Sequence, residues 1–173
     1  VPLKAQRPDR VRNTSLLFSP EGSLVAHYDK IHLFRFSTEH EHYDESIVIE
    51  AGHVPVVVPI TDRDGGAWKL GMSICYDLRF PELYRLHAAQ GADILLAPSA
   101  FTHTTGQAHW EVLLRARAIE NQCWMLAAAQ GGHHTNGRLT WGHSMVVDPW
   151  GQVLAQCTQQ GPGMACAVLD LAF

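Results

Sequence analysis

The sequence predicts an α/β fold in which helices cover a mixed β-sheet. Three observations lead to this class. Short apolar runs and helical repeats alternate through the middle of the chain, and hairpin turns mark both ends. In addition, 46% of the 173 residues are hydrophobic, which is enough to bury a sizeable core. A chain of this length is typical of one domain, and we expect a single domain over residues 1–173.

The first half of the chain reads as strands joined by turns. Ser19-Pro-Glu-Gly22 separates two apolar runs and favours a β-hairpin. Lys30 follows the second run directly, where a side chain can point into a cleft. Residues 35–50 are polar and irregular, so we predict a loop there, and we expect no element before Asn13. The strands expected in this half are 13–18, 23–28, 54–60 and 68–75.

The second half alternates between strands and helices. We predict a helix over 81–90, because Pro81 suits the first turn and Gly91 suits the end. A second helix is expected over 109–121, with Glu111 and Arg115 paired four residues apart on its exposed face. The strands expected in this half are 92–97, 123–129, 144–148, 152–156 and 165–169.

Charge and composition exclude several classes of partner. The formal net charge of −4 gives no basic surface for nucleic acid or anionic lipid, and no apolar run approaches the roughly 20 residues of a membrane helix. The four cysteines show no CxxC spacing. Cys123, Cys157 and Cys166 lie in apolar surroundings and are expected to be buried, reduced thiols, which favours a cytoplasmic protein.

The fourth cysteine, Cys75, has a different setting. It ends an apolar strand, and Phe80-Pro81-Glu82 then opens a helix. A thiol at a strand–turn–helix junction can be reached by substrate, and nearby backbone N–H groups favour the thiolate that attacks. The alternative from the strand alone is a buried structural cysteine.

Four segments in one order resemble the nitrilase (carbon–nitrogen hydrolase) superfamily, over about residues 11–171. They are the nucleophile motif Gly71-Met-Ser-Ile-Cys-Tyr-Asp-Leu-Arg-Phe-Pro-Glu82, the lysine motif Tyr28-Asp-Lys-Ile-His-Leu-Phe34, and two downstream runs, Ala108–Gln122 and Trp141–Gly151. This resemblance implies part of a four-layer αββα sandwich. It also implies a homo-oligomer, and a longer enzyme of which this chain is an internal portion lacking the N-terminal elements.

The resemblance assigns catalytic roles. Cys75 is the expected nucleophile, and Lys30 with the backbone N–H of Tyr76 is expected to stabilise the oxyanion. Tyr43-Asp-Glu-Ser46 matches the stretch that carries the family's further glutamate, so Glu45 is the candidate. Glu39 and Glu41 are rivals, because Arg35–His42 departs from the family pattern. The general-base glutamate belongs to an N-terminal segment that we expect to precede this chain, so the chain alone is expected to be feeble or inactive.

Other residues receive supporting roles. Asp77 and Arg79 are expected to fix the nucleophile turn as an ion pair or hydrogen-bond scaffold, and Glu111 to contact the lysine or the nucleophile. Ser99, Ala100 and Phe101 follow a strand and are expected either to line a substrate pocket or to pack at the strand end. Eleven histidines include His40-Glu-His42 and His133-His134, but their spacing does not suit a metal site, and we expect no metal or cofactor.

The predicted function is hydrolysis of a non-peptide amide bond in a small metabolite through a cysteine acyl-enzyme, with release of ammonia. The branch most similar is that of the deaminated glutathione amidases, followed by the ω-amidases, with carbamoylase and nitrilase activity as further alternatives. Two other classes stay open: a truncated, non-catalytic family member, and a papain-like enzyme with His109 or His143 as base.

Overall fold

The computed structural model describes residues 1–37, 39, 42–159 and 161–170. These residues form two compact units, Val1–Val56 and the residues from Val57 onward. A mixed sheet and two helices confirm the predicted α/β class. That residues 1–173 form one domain remains a prediction.

The first unit contains a three-stranded antiparallel sheet, β1-β2-β3 in order, made of β1 (Pro2–Lys4), β2 (Val11–Phe18) and β3 (Leu24–Asp29). The predicted hairpin is confirmed between the last two strands. Our expectation of no element before Asn13 was wrong, since Leu3 pairs with Arg12. A three-residue edge strand with all side chains exposed carries no hydrophobic alternation that could reveal it.

The predicted loop over 35–50 also holds short elements. These are β4 (Arg35–Ser37), β5 (His42–Asp44) and a 3₁₀ turn, Glu45–Ile47. The two strands pair antiparallel, with Arg35 opposite Asp44. Their side chains are largely exposed or half-buried, so the polar sequence that suggested a loop reflects exposure and not irregular backbone.

The second unit is built on a six-stranded sheet. Its strands are β6 (Val56–Thr61), β7 (Ala67–Met72), β8 (Ile94–Leu96), β9 (Trp124–Ala127), β12 (Met145–Val147) and β13 (Val153–Gln156). The spatial order is β13-β12-β9-β8-β7-β6. Strands β7, β8 and β9 are parallel neighbours, while β12 is antiparallel to both β9 and β13.

Two helices make the crossovers between the parallel strands, as parallel pairing requires. Helix α1 (Pro81–Ala89) has its proline in the first turn, and Gly91 follows its end with φ +79°. Helix α2 (His103–Asn121) begins six residues before the predicted position. The Thr102 side chain caps its first turn by accepting from the N–H of Thr105 at 3.3 Å. Position 106 in this first turn requires glycine, because a Cβ there would lie 2.2 Å from the Cβ of Trp141.

The two faces of the sheet are packed differently. On one face, Trp68, Leu70, Ile94 and Trp124 form a buried cluster that Leu169 also contacts. On the other, Gly71 faces α1 so closely that a Cβ would meet the His87 ring at 2.9 Å. The alternation of Trp68, Leu70 and Gly71 along β7 therefore follows the period of two that a strand with both faces covered requires.

Three further expectations differ from the structure. The strand predicted over 68–75 ends at Met72. The described residues 161–170 contain no strand, so the final strand predicted over 165–169 is wrong. A hairpin of β10 (Gly131–His133) and β11 (Leu139–Trp141) was missed because its first strand is glycine-rich. Within the described residues, neither helix is long and apolar enough to cross a membrane.

Candidate active site

The candidate residues fall in both units. In the second unit, Cys75 begins a 3₁₀ turn, Cys75–Arg79, three residues after β7 ends. Its φ is +52°, a left-handed conformation that non-glycine residues adopt at a cost of about 1–2 kcal/mol. The Cys75 N–H donates to the Pro98 carbonyl at 3.0 Å, which ties the strained residue to the chain leaving β8.

Asp77 holds the backbone before and after the thiol. Its side-chain carboxylate accepts from the N–H of Ile74 at 2.8 Å, and its own N–H donates to the Ile74 carbonyl at 3.1 Å. The Asp77 carbonyl also accepts from Phe80 at 2.9 Å. Because Asp77 is fully buried, these bonds are shielded from water and fix the turn.

Arg79 is held by aromatic rings. Its guanidinium carbon lies 5.9 Å from the Tyr76 ring centroid and 5.6 Å from that of Phe101, and its Nη2 lies 3.2 Å from Nδ1 of His109. The contacts to the rings are of the cation–π type. They hold the guanidinium of Arg79, the last residue of the Cys75–Arg79 turn, against the rings of Tyr76 and Phe101.

A neutral polar group lies behind the turn. The hydroxyls of Ser73 and Tyr84 are 2.6 Å apart, and Ser73 also donates to the Leu96 carbonyl at 2.7 Å. Burial raises the pKa of Tyr84 above its ordinary value, so the phenol stays protonated. Burial lowers the pKa of the neighbouring His87 to about 4, and neither of its ring nitrogens has a hydrogen-bond partner among the described residues.

The residues after β8 are partly committed to packing. Ser99 is buried, and its hydroxyl donates to the Ala97 carbonyl at 2.9 Å. Phe101 is buried against Trp110, with ring centroids 5.0 Å apart. Ala100 is half-buried, and its carbonyl accepts from Arg138 at 2.7 Å. The side chains of Ser99 and Phe101 therefore contact the strand end and α2, and their role in a substrate pocket stays a prediction.

In the first unit, Lys30 follows β3 and is 1% exposed. Its ammonium lies 2.5 Å from Oε2 of Glu45. Its backbone is fixed on both sides, since its N–H donates to Asn13 at 2.9 Å and its carbonyl accepts from Gly52 at 2.9 Å. A Cβ on Gly52 would lie 2.2 Å from the Asp29 carbonyl oxygen, so this close approach requires glycine.

Glu45 is held by the segment that follows Lys30. Its Oε2 accepts from the Phe34 N–H at 2.8 Å as well as from Lys30, and its own N–H donates to the Phe34 carbonyl at 3.0 Å. No described residue donates to Oε1, and the side chain is 27% exposed. One carboxylate oxygen thus has two donors, and the other has none among the described residues.

The turn that carries Glu45 is fixed by charge. Oδ1 of Asp44 accepts from the Ser46 N–H at 3.0 Å and from its hydroxyl at 2.5 Å, while Oδ2 accepts from Arg35 at 2.7 Å. These bonds, the Ser46 hydroxyl first, lower the pKa of Asp44 to about 2. Arg10 donates to the Ser46 carbonyl from the other side. The Asp-x-Ser pattern of an Asx turn could have indicated Asp44 in the sequence.

The other candidate glutamates are Glu39, Glu41 and Glu111. Glu39 is exposed, and Glu41 lies outside the described residues. Glu111 is on the exposed face of α2, where the predicted pair with Arg115 is confirmed at 3.4 Å. Its hydrogen bond goes to Arg115, and its expected contact with the lysine or the nucleophile stays a prediction.

The remaining thiols differ in burial. Cys123 is buried as expected, but Cys157 is half-buried and Cys166 exposed, so burial was wrong for these two. Cys157 follows the edge strand β13, and Cys166 lies in a segment without helix or strand. Of the histidine stretch 40–42, His40 and Glu41 lie outside the described residues. No group of three or more His, Cys, Asp or Glu side chains suited to a metal occurs in the part of the chain that the structure describes.

Comparison with known proteins decides the family. A model of carbon–nitrogen hydrolases matches residues 1–173. This chain belongs to the carbon–nitrogen hydrolase family. The family assignment agrees with the resemblance of the four sequence motifs.

Individual relatives of this carbon–nitrogen hydrolase support the assignment. Deaminated glutathione amidase of Yersinia enterocolitica is 49% identical over 156 residues, covering 89% of this chain and 53% of that protein. The crystal structure of C. elegans NitFhit is similar with a TM-score of 0.77 at 48% identity, over 88% of this chain and 36% of that one. A variant of the amidase from Nesterenkonia sp. AN1, with acrylamide added to its active-site cysteine, has a TM-score of 0.80 at 30% identity, over 98% and 61%. The chain spans about half the length of the curated relatives it matches.

Proposed function

We propose that this carbon–nitrogen hydrolase cleaves an amide bond of a small metabolite through a thioester on Cys75, assisted by Lys30 and Glu45. The observation that carries the proposal is the Lys30–Glu45 pair. A lysine 1% exposed, with a carboxylate at 2.5 Å, is far from an ordinary surface lysine. Charged side chains are buried in this way at functional sites more often than elsewhere.

The reaction has two stages. The Cys75 thiolate attacks the amide carbonyl carbon, a C–S bond forms, and the tetrahedral intermediate expels the amine as its C–N bond breaks. Water then attacks the thioester, releasing the carboxylic acid and restoring the thiol. The thiol proton passes to a general-base carboxylate and from there to the leaving amine, and the family resemblance assigns this base to a glutamate of the family's N-terminal segment.

Lys30 supplies charge to the tetrahedral intermediate. Among the described residues, its ammonium has one hydrogen-bond partner, Glu45, and an ammonium carries three N–H donors. The remaining donors suit the developing oxyanion, together with the backbone N–H of Tyr76. Loss of one such donor typically lowers kcat by 10²–10³-fold.

Glu45 is suited to proton transfer. Its Oε2 is held by Lys30 and Phe34, so the carboxylate cannot rotate freely. Its Oε1 has no donor among the described residues, which leaves it able to take a proton from the attacking water and return it to the departing Cys75 thiolate. Glu45 is proposed as this relay in preference to Glu39.

The leaving group depends on the substrate. The relatives named deaminated glutathione amidase point to deaminated glutathione. That molecule contains only secondary amides, so its hydrolysis would release an amine and not the ammonia predicted from the sequence. Ammonia is the product for a primary amide such as α-ketoglutaramate, the substrate of the ω-amidase alternative. The two branches therefore differ in a measurable product.

Other expectations remain proposals. The amidase-named relatives favour an enzyme over the non-catalytic alternative. Carbamoylase and nitrilase activity remain alternatives within the family. We also propose a cytoplasmic homo-oligomer that acts on small amides without nucleic-acid or membrane partners.

The test is a substrate panel assayed for both products. Deaminated glutathione, α-ketoglutaramate, a carbamoyl amino acid and a simple nitrile are incubated with the protein encoded by the complete reading frame, and amine and ammonia are quantified separately. We expect amine release from deaminated glutathione, and none above background in Cys75→Ala. Cys166→Ala is the matched control, because Cys166 is exposed. Turnover that survives in Cys75→Ala would refute the proposal.

A further inference from the structure

The carboxyl ends of β7, β8 and β9 lie side by side along one edge of the sheet, with Cys75 after β7. The N–H of Cys75 bonds to Pro98 at the end of β8, and the N–H of Ser99 bonds to Ala128 at the end of β9, at 2.8 Å. The Gln130 N–H returns to the Ser99 carbonyl at 2.9 Å. Strand spacing of about 4.8 Å places the end of β9 roughly 10 Å from the end of β7 along this edge. Ligands of open α/β sheets bind outside this edge.

A cavity of about 560 Å³ opens where β9 ends. Its size is within the range of small-molecule sites, roughly 300–1,000 Å³. Its described lining residues supply side-chain amides, hydroxyls and an imidazole, and none of them is Lys, Arg, Asp or Glu. The polar side chains that line it are Gln130, His134, Ser144, Thr158 and Gln159, and Cys157 lies beside them. The Ser144 hydroxyl is bonded to the Ala129 backbone and the His134 ring to the Thr140 hydroxyl, so the amides of Gln130 and Gln159 are the groups offered to a ligand.

Residues 157–159, on one side of the cavity, are hydrogen-bonded to and packed against residues 129–144 on the other side. The Cys157 N–H donates to the Ser144 carbonyl at 2.8 Å, and the Ser144 hydroxyl accepts from the Ala129 N–H at 2.8 Å. The Gln159 carbonyl lies against two glycines, since a Cβ would meet it at 2.4 Å on Gly131 and at 3.2 Å on Gly142. The cavity is therefore defined by close backbone packing.

We infer that this cavity binds an uncharged, peptide-like portion of the amide substrate. The amides of Gln130 and Gln159 both donate and accept hydrogen bonds, as a peptide unit does, whereas a carboxylate or phosphate would find no Lys or Arg among the described lining residues. A span of roughly 10 Å corresponds to about three extended residues. The inference rests on the proposed function and narrows it to extended amides over short primary amides.

Cys157 provides a direct readout of occupancy. The probe is N-acetyl-glycylglycine amide, and succinate serves as a charged control of similar size. Iodoacetamide labelling of each cysteine is followed by peptide mass spectrometry, with the exposed Cys166 as the internal reference. We expect saturating probe to slow labelling of Cys157 at least tenfold, with no change at Cys166 and no effect of succinate. Labelling of Cys157 that is unchanged by the probe, or slowed equally by succinate, would overturn the inference.

A variant links the cavity to specificity. Gln130→Leu removes an amide from the lining, and Gln107→Leu on the exposed surface of α2 is its matched control. We expect Gln130→Leu to abolish the protection of Cys157 and to lower the ratio of kcat/KM for deaminated glutathione to that for propionamide about tenfold. An unchanged ratio would contradict the inference. Failure of the proposed function would differ, because protection of Cys157 would persist in a protein without turnover.

Discussion

The Lys30–Glu45 pair and the Cys75 turn are stabilised by different interactions. In the first unit, ion pairs dominate: Lys30 with Glu45, and Asp44 with Arg35. In the second unit, backbone hydrogen bonds hold the left-handed Cys75, and neutral Ser73 and Tyr84 pack behind it. Ion pairs hold the catalytic candidates of the first unit in place, whereas buried hydrogen bonds hold the strained backbone at Cys75 in the second unit.

This difference predicts different sensitivities. Removing one partner of a buried ion pair lowers stability strongly, because the charge of the other partner is left uncompensated. A turn held by backbone bonds tolerates changes of exposed charge but responds to changes of volume and to protonation in its core. Each region can therefore be perturbed by a change that spares the other.

Lys30→Met should have the largest effect on catalysis. It removes the ammonium while keeping a long apolar side chain, and we expect kcat to fall about 10²–10³-fold, as for loss of an oxyanion donor. Lys69→Met is the control, because Lys69 is exposed. Steady-state kinetics with circular dichroism checks the result, and a folded Lys30→Met protein with native kcat would contradict the role of Lys30.

Gly52→Ala and Gly71→Ala compare the rigidity of the two regions. The new Cβ would meet a backbone oxygen 2.2 Å away at Gly52, but side chains of His87 and Leu95 at 2.9 Å at Gly71. Side chains can shift more easily than backbone, so we expect losses of unfolding free energy of about 3 kcal/mol or more at Gly52 and about 1–2 kcal/mol at Gly71. Urea denaturation measures both, and a larger loss at Gly71 would reverse the comparison.

His87 should make the second unit sensitive to acid. Its pKa is about 4 in the folded protein and 6.5 when unperturbed, because burial disfavours the charged ring. Between pH 6.5 and 4 the unfolded chain binds a proton that the folded chain does not. Stability should therefore fall by about 3 kcal/mol over this window, at about 1.36 kcal/mol per pKa unit.

The variant His87→Leu tests this directly. It removes the titrating ring, so the decline of unfolding free energy between pH 6.5 and 4 should become shallower by that amount. His27→Leu, at an exposed position of β3, should leave the decline unchanged. Equal pH dependence of His87→Leu and the wild type would show that His87 is not the responsible group.

Asp44 should have the smallest effect of the four. Asp44→Ala removes the cap of the turn that carries Glu45, a change worth about 1 kcal/mol, and we expect kcat to fall several-fold with little change in KM. Asp44→Asn keeps an acceptor for Ser46 and should recover most of the loss. The exposed Asp64→Ala is the control. If Asp44→Asn and Asp44→Ala are equally impaired, the ion pair with Arg35 and not the cap positions Glu45.

Much of the second unit could be predicted from the sequence because its elements have strong local signals. Pro81 and Gly91 mark the ends of α1, and apolar runs mark β7, β8 and β9. The start of α2 was missed because Thr102 and Gly106 resemble loop residues, although one is a cap and the other lies against Trp141. Such roles depend on tertiary contacts that no local pattern contains.

The candidate residues were identified by motif, and their surroundings were not. Lys30, Glu45 and Cys75 lie in recognisable runs, but the Asp44–Ser46 turn, the Ser73–Tyr84 bond and the cavity at the end of β9 join residues without a shared motif. The Glu111–Arg115 pair was predicted from its four-residue spacing, because that contact lies within one helix. The signal is strong for reacting groups and weak for the groups that position them.

The most direct test of the account is to trap the acyl-enzyme. Protein from the complete reading frame is mixed with deaminated glutathione, quenched in acid within the first turnover, and digested for mass spectrometry. We expect one acyl group on the peptide containing Cys75, bound as a thioester that hydroxylamine removes. Product formed at the wild-type rate with no acyl group on Cys75, or with the acyl group on another residue, would contradict it.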